Sequence, residues 1–201
     1  MSNKKELRKH ILQIRDALSV EERKEKSRKI VEKVIHHREF QDCNTVLMFA
    51  SYGSEVDTLA IFVTAKKMGK NIFFPKIVGE EMVFYQVNDM QELLEGYKGI
   101  REPAQDERKR YEPQLDERCV VLMPGVVFDT EGGRIGYGKG FYDKFLGKIQ
   151  LERISKGFKK LAIAFECQLV ETGEIMAESY DIKPDYIATE NRLIEINKSL
   201  F

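Results

Sequence analysis

The residues best equipped for chemistry form one stretch, Gly133-Arg134-Ile135-Gly136-Tyr137-Gly138-Lys139-Gly140-Phe141-Tyr142-Asp143. It packs four glycines, two cations and a carboxylate into a short loop. Glycine lets a backbone approach a ligand closely and take up positive φ. Arg and Lys neutralise anionic oxygens, and an Asp beside them can hold a hard divalent cation. The combination suits a polyphosphate with its metal. It is not a standard P-loop: Gly133-x-x-x-x-Gly138-Lys139 begins that pattern, but Gly140 stands where Ser or Thr should hold the metal. The dinucleotide pattern also fails, because Gly136-Tyr137-Gly138 meets Phe141 where the third glycine belongs. What survives is a phosphate cradle of backbone N–H groups, Arg134, Lys139 and the start of a helix at Phe141. The plainer alternative is a flexible glycine hairpin with incidental charges.

Other candidates lie apart in sequence. Asp143 and Asp185 are carboxylates able to ligate magnesium, which takes one or two of them plus phosphate oxygens and water. Each alone also fits a helix first turn or a turn position, and spacing does not bring them together. Lys4, Lys5 and Arg8 open a predicted helix, with Lys4 and Arg8 on one face. Cations there oppose the macrodipole, which hints at an external anion; a solvated charged face explains them equally simply. Glu55, in Ser51-Tyr52-Gly53-Ser54-Glu55-Val56-Asp57, follows a buried strand and suits a ligand-binding acceptor. The same segment can instead cap the next helix through Ser54 or Asp57. His10, His36 and His37 have no partners nearby in sequence and read as surface or structural.

Regular elements must position these groups. Leu7, Ile11, Ile14 and Leu18 recur at helical spacing over Lys4–Leu18. Ser19-Val20-Glu21-Glu22 is a capping box opening a second helix to about His37, with Ile30, Val31, Val34 and Ile35 inward. Thr45–Ala50 reads as a strand buried on both faces. A helix over Asp57–Met68, stopped by Gly69, and strands at Asn71–Pro75 and Met82–Val87 follow. Residues 101–118, charged and carrying Pro103 and Pro113, read as a surface loop. Cys119–Met123 is a central strand, turned by Pro124-Gly125. A helix over Tyr142–Ile149 and strands at Leu161–Phe165, Tyr186–Thr189 and Leu193–Ile196 complete the reading. Alternating apolar strands and helices predict a three-layer α/β/α sandwich with a mainly parallel sheet. In such folds ligands gather beyond the carboxyl ends of the strands.

Bulk properties narrow the function. At 201 residues, with no internal repeat or low-complexity linker, the chain reads as one domain spanning 1–201. Lys+Arg and Asp+Glu are 33 each, and this balance argues against broad binding to nucleic acid or anionic membrane. Cys43, Cys119 and Cys167 form no CxxC pair, which disfavours a metal knuckle or disulfide framework and fits a reducing cytosol. The N-terminus has no apolar signal region, and no apolar run approaches a membrane span. The expected location is cytoplasmic, where the sequon Asn197-Lys198-Ser199 has no use. No obligate protein partner is evident.

Several segments in order carry a family resemblance. They are Lys4…Arg8, Ser51…Glu55-Val56, Phe84-Tyr85, Gly99-Ile100-Arg101-Glu102-Pro103 and Pro124-Gly125-Val126-Val127-Phe128-Asp129. The most specific is Arg134-x-Gly136-x-Gly138-x-Gly140-Phe141-Tyr142-Asp143. Ala164-Phe165-Glu166-x-Gln168-Leu169 and Asp185…Thr189-Glu190 follow. From about residue 4 to 190 the chain resembles the 5-formyltetrahydrofolate cyclo-ligase family, also called methenyltetrahydrofolate synthetases. The resemblance implies an α/β/α sandwich binding Mg-ATP and a reduced folate. It implies that Lys4, Lys5, Glu6, Leu7 and Arg8 contact ATP, and that Arg134, Ile135, Gly136, Tyr137, Gly138, Lys139, Gly140, Phe141 and Tyr142 wrap its phosphates. Tyr137 to Phe141 would also face the folate, Ala50 and Glu55 would lie in the folate pocket, and Asp143 and Asp185 would hold magnesium. Two departures stand out: Phe141 where Tyr is common, and Met176–Asp181 where Pro at 176 and His at 180 are expected.

The implied reaction suits these residue types. A formamide carbon is a poor electrophile until its oxygen becomes a leaving group, and ATP can phosphorylate that oxygen. Phosphoryl transfer needs positioning and charge neutralisation more than a protein nucleophile, a task that falls to Lys139 and Arg134. A small-molecule kinase using the same loop, or a non-enzymatic nucleotide or RNA module on the same fold, are the rival readings. The kinase would leave a stable phosphorylated product.

Overall fold

The computed structural model describes residues 2–96, 99–114, 117–151, 157–176, 178 and 181–196. The sequon at 197–199, and Ala177, Ser179 and Tyr180 of the divergent segment, lie outside the described residues. In chain order the helices are α1 (Ser2–Asp16), α2 (Val20–His36), α3 (Arg38–Asp42), α4 (Leu59–Lys67) and α5 (Phe141–Leu151). The strands of the main sheet are β1 (Thr45–Leu47), β2 (Asn71–Val78), β3 (Glu81–Gln86), β6 (Cys119–Met123), β9 (Phe158–Ile163), β11 (Tyr186–Ala188) and β12 (Leu193–Glu195). Smaller ladders use β4 (Leu93–Glu95) with β5 (Arg101–Pro103), and β7 (Val127–Asp129) with β8 (Arg134–Ile135) and β10 (Leu169–Val170).

Among the described residues the main sheet runs β12-β11-β9-β6-β1-β2-β3. The five inner strands are parallel, and β12 and β3 pair antiparallel at the edges. Side chains of the inner strands alternate between two cores, as period 2 requires. Val46, Val120 and Leu122 join Ile30, Val34, Phe40, Ile61 and Phe62 beneath α2 and α4. Leu47, Val121 and Met123 join Phe128, Leu146 and Ile149 beneath α5. The result is the expected three-layer α/β/α sandwich with a mainly parallel sheet. Among the described residues no helix is long and apolar enough to cross a membrane.

The capping box is present: Glu22 N–H donates to Ser19 Oγ at 3.1 Å, and Ser19 N–H to Glu22 Oε2 at 2.8 Å. Several boundaries differ from expectation. Residues 101–118 are not a plain surface loop. Arg101–Pro103 form β5 on β4, Arg110 bridges to Tyr85, and Glu102, Pro103 and Tyr111 are buried. Pro103 is tolerated as the last residue of a two-stranded ladder, where an absent N–H costs little. Strand β9 starts at Phe158, earlier than expected, because the charge of Lys160 is neutralised inside the fold by Asp185. Helix α4 begins at Leu59 rather than Asp57, with Asp57 Oδ1 accepting the Leu59 N–H at 2.9 Å. The inward face of α1 carries Leu7, Ile11 and Arg15, whereas Ile14 is exposed. Cys43 and Cys119 are buried free thiols.

Candidate active site

Chain order and strand direction deliver the candidate residues to the carboxyl ends of the sheet. Strand β6 exits through Pro124-Gly125 into β7 and β8, and β8 supplies Arg134 and Ile135. The loop then passes through Gly138 (φ 93°) and Gly140 (φ 66°), conformations that a side chain would strain, before α5 begins at Phe141. A small cavity beside it is lined by Arg15, Phe49, Glu55, Pro124, Gly125 and Gln168, at the carboxyl ends of β1, β6 and β9. A larger cavity of about 580 Å³ lies between α1 and residues 166–174. It contains Glu166, Glu171 and Glu174 but none of the loop cations. Size alone therefore does not mark the chemistry.

Three ties organise the loop. On one side, Arg134 Nη2 donates to Asp143 Oδ1 at 2.6 Å, joining β8 to the first turn of α5. The Asp143 carboxylate also suits that helix end electrostatically. Underneath, Arg8 Nε donates to the Gly136 carbonyl at 2.8 Å, so α1 grips the loop backbone. On the other side, the Tyr137 hydroxyl donates to Glu55 Oε1 and accepts from Arg15 Nη1 at 3.1 Å. Glu55 Oε2 accepts the Tyr52 N–H at 2.9 Å. Burial pushes the Glu55 carboxyl above the ordinary value of 4.5, with the Tyr137 hydrogen bond opposing it. Burial likewise raises the phenols of Tyr137 and Tyr142, and the Glu55 charge adds to both.

Two buried polar atoms here have no partner among the described residues: Arg134 Nε and the Tyr142 hydroxyl. Such groups carry a desolvation penalty unless a ligand or water answers them. Lys139 is exposed and its ammonium has no partner among the described residues. Lys4 Nζ donates to Glu178 Oε1 at 3.0 Å and lies 3.5 Å from Asp181 Oδ2. Lys5 and Glu6 are exposed, and Leu7 packs against the cluster of Ile11, Val126, Val127 and Ile135. Ala50 is buried just beyond β1, and Phe141 packs with the α5 core.

The two aspartates expected at the metal sit differently. Asp143 Oδ1 takes Arg134 and the Ile182 N–H at 3.1 Å, while its Oδ2 accepts no hydrogen bond from the described residues. Asp185 lies at the amino end of β11, and its Oδ2 accepts both the backbone N–H and the ammonium of Lys160, each at 2.8 Å. Next to Ile182, whose N–H binds Asp143, stands Asp181, with its carboxylate 3.5 Å from Lys4 Nζ and accepting the Glu178 N–H at 2.9 Å. Among the described residues no group of three or more His, Cys, Asp or Glu side chains could hold a metal. A magnesium ion carried on substrate phosphates needs only one or two protein carboxylates, so the donor set fits it at Asp143.

Sequence reasoning missed Arg15, and it named Ser54 only as a cap candidate, Gln168 only within a family segment and Asp181 only as the end of the divergent segment. Arg15 had a signal: it stands four residues after Ile11 on the inward face of α1, a charged residue where an apolar one belongs. Gln168 donates from Nε2 to the carbonyls of Gly125 and Val126, both at 3.0 Å, and so fixes the exit from β6.

The 5-formyltetrahydrofolate cyclo-ligase family model matches residues 1–190. A probable 5-formyltetrahydrofolate cyclo-ligase of Schizosaccharomyces pombe is 33% identical over 173 residues, 82% of this chain and 84% of its own. The 5-formyltetrahydrofolate cyclo-ligase of Mus musculus is 29% identical over 94% of this chain and 95% of its own. Among solved structures, the 5,10-methenyltetrahydrofolate synthetase of Aquifex aeolicus superposes with a TM-score of 0.80 at 34% identity, covering 98% of this chain and 96% of that one.

Proposed function

The chain belongs to the 5-formyltetrahydrofolate cyclo-ligase family, and on that premise we propose that it converts 5-formyltetrahydrofolate to 5,10-methenyltetrahydrofolate with ATP and Mg²⁺, releasing ADP and phosphate. The observation that carries this reading is the two-sided glycine loop. Arg8, Arg134 and Asp143 flank one side, and Tyr137 with Glu55 the other. The chain forms one cyclo-ligase domain, a reading supported by the family model's span of 190 of its 201 residues.

The N–H groups of the loop and of the first turn of α5 bind the ATP phosphates, with Lys4 and Arg8 adding charge from α1. Lys139, exposed and unpaired among the described residues, folds onto the γ-phosphate and neutralises charge as it transfers. Arg134, its Nε lacking a partner among the described residues, answers a second phosphate oxygen. Asp143 would hold Mg²⁺, since its Oδ2 accepts no hydrogen bond from the described residues. Asp181 is a better second carboxylate than Asp185, which is engaged by Lys160 at the other end of the sheet. When bound, Mg²⁺ supplies neutralisation of phosphate oxygens.

The folate sits against Ala50, Glu55, Tyr137 and Phe141, with Glu55 accepting an N–H of its ring. The formyl oxygen attacks the γ-phosphorus and the bond to the ADP oxygen breaks. The formyl carbon then bears a phosphate leaving group and is activated by the N5 lone pair. N10 attacks that carbon and loses its proton, phosphate departs with the former formyl oxygen, and the five-membered ring closes. No step needs a protein nucleophile; the site supplies positioning and charge. The test mixes the protein with ATP, Mg²⁺ and 5-formyltetrahydrofolate and follows methenyl absorbance and ADP together. Equal amounts of both are expected. ADP with a stable phosphorylated formyl compound would mean a kinase, and neither product would refute the reading.

A further inference from the structure

We propose that Arg15 is a positioning residue that holds Tyr137, and with it the folate-facing side of the glycine loop, in the binding conformation. The proposal rests on the cyclo-ligase reading and adds a determinant of folate affinity to it. Arg15 is 4% exposed and sits on the inward face of α1. Its Nε donates to Ser54 Oγ at 2.9 Å and its Nη1 to the Tyr137 hydroxyl at 3.1 Å. Ser54 Oγ in turn donates to Asp16 Oδ1, and Tyr137 donates to Glu55. One guanidinium thus ties together α1, the Ser54-Glu55 loop and the glycine loop, segments far apart in sequence.

The need for such a tie follows from the loop itself. Tyr137 lies between Gly136 and Gly138 and is 50% exposed, and the Arg15 guanidinium lies over its ring at 6.0 Å from the centroid. Arg8 and Arg15 stand seven residues apart, two turns along the same helix. Arg8 holds the loop by its backbone at Gly136, and Arg15 holds it by a side chain at Tyr137. The helix therefore carries the loop at two points. A buried guanidinium is expensive to desolvate and would be replaceable by an apolar side chain if packing were its only task. Its planar fork can serve two acceptors at fixed directions, which a lysine ammonium on a flexible stem does poorly.

The test compares wild type, Tyr137→Phe, Arg15→Lys and the double variant in steady-state kinetics and in hydrogen exchange of the ligand-free proteins. Each single variant is expected to raise the KM for 5-formyltetrahydrofolate about tenfold or more, since Tyr137→Phe removes its bonds with Arg15 and Glu55 and Arg15→Lys disturbs those with Tyr137 and Ser54, with the ATP KM within about twofold. The double variant should fall well short of the product of the two single effects, close to the more affected single variant, because both remove the Arg15–Tyr137 link. Exchange of amides 134–140 should quicken in both single variants. Effects that multiply in the double variant, a loss confined to the ATP KM, or unchanged exchange would overturn the proposal. If Arg15→Lys fails to fold, Ser54→Ala decides it: it removes the acceptor that holds Arg15 Nε while leaving Tyr137 and Glu55 intact, so quicker exchange of amides 134–140 and a raised folate KM are expected, and unchanged values overturn the proposal. If wild type makes no methenyl product, the cyclo-ligase reading fails, while the exchange data still judge the Arg15 tie.

Discussion

Asp143 and Asp185 are the same residue type, each paired with a buried cation, yet they sit in contrasting surroundings. The Asp143–Arg134 pair has side-chain exposures of 18% and 7%, at the start of α5 beside the glycine loop. The Asp185–Lys160 pair has 8% and 9%, at the amino ends of β11 and β9. Asp185 Oδ2 is consumed twice by one lysine, and the lysine thereby joins the sheet. Asp143 keeps an oxygen without a described partner, next to cations with unused N–H groups. The lesson is that an ion pair is structural when its polar atoms answer one another, and functional equipment when atoms are left over for a ligand.

The largest expected effect breaks the functional side. Lys139→Ala, or Arg134→Ala, should lower kcat at saturating ATP by about 10²–10³-fold, the usual loss for one transition-state donor. Near-normal turnover in Lys139→Ala would remove it from the phosphoryl-transfer step. The next effect breaks the structural side. Asp185→Asn should cost about 3 kcal/mol in urea unfolding, because Lys160 keeps its buried charge without a counter-charge. The Mg²⁺ dependence of the folded enzyme should be unchanged. Asp143→Asn should differ at the metal, with about tenfold more Mg²⁺ needed for half-maximal rate; it should also lose stability, because Arg134 is left buried without its counter-charge. Equal Mg²⁺ shifts in both variants would erase the distinction.

Smaller effects sharpen the folate side. The folded-state pKa of Glu55 is raised, so its contribution to stability is present below the ordinary 4.5 and is lost as pH rises through the raised value. Wild type should therefore lose stability relative to Glu55→Gln over that window, measured as urea midpoints at several pH values. Parallel curves would contradict burial as the cause. Far from the site, Ser19→Ala should cost about 1 kcal/mol through the lost cap of α2, with kinetics unchanged.

Much of this contrast was legible in the sequence. The glycine loop, the capping box and the buried strands announce themselves through residue type and period, and the parallel sheet follows from their alternation. The small β10-β7-β8 sheet was not, because β8 and β10 are two residues each and leave no periodic trace. The early start of β9 was hidden behind Lys159 and Lys160, since only the fold supplies Asp185 as counter-charge. Asp181 and Arg15 carry no motif. Their meaning comes from neighbours such as Ile182 with Asp143 and Arg15 with Tyr137, contacts that join distant parts of the chain.

If the glycine loop brings ATP and folate together so that the formyl oxygen receives the γ-phosphoryl group, that oxygen must leave with the phosphate. The most direct measurement labels that oxygen with ¹⁸O and analyses the released phosphate by mass spectrometry. Every phosphate formed with a methenyl product is expected to carry one ¹⁸O. Unlabelled phosphate, with the label appearing in water, would contradict it.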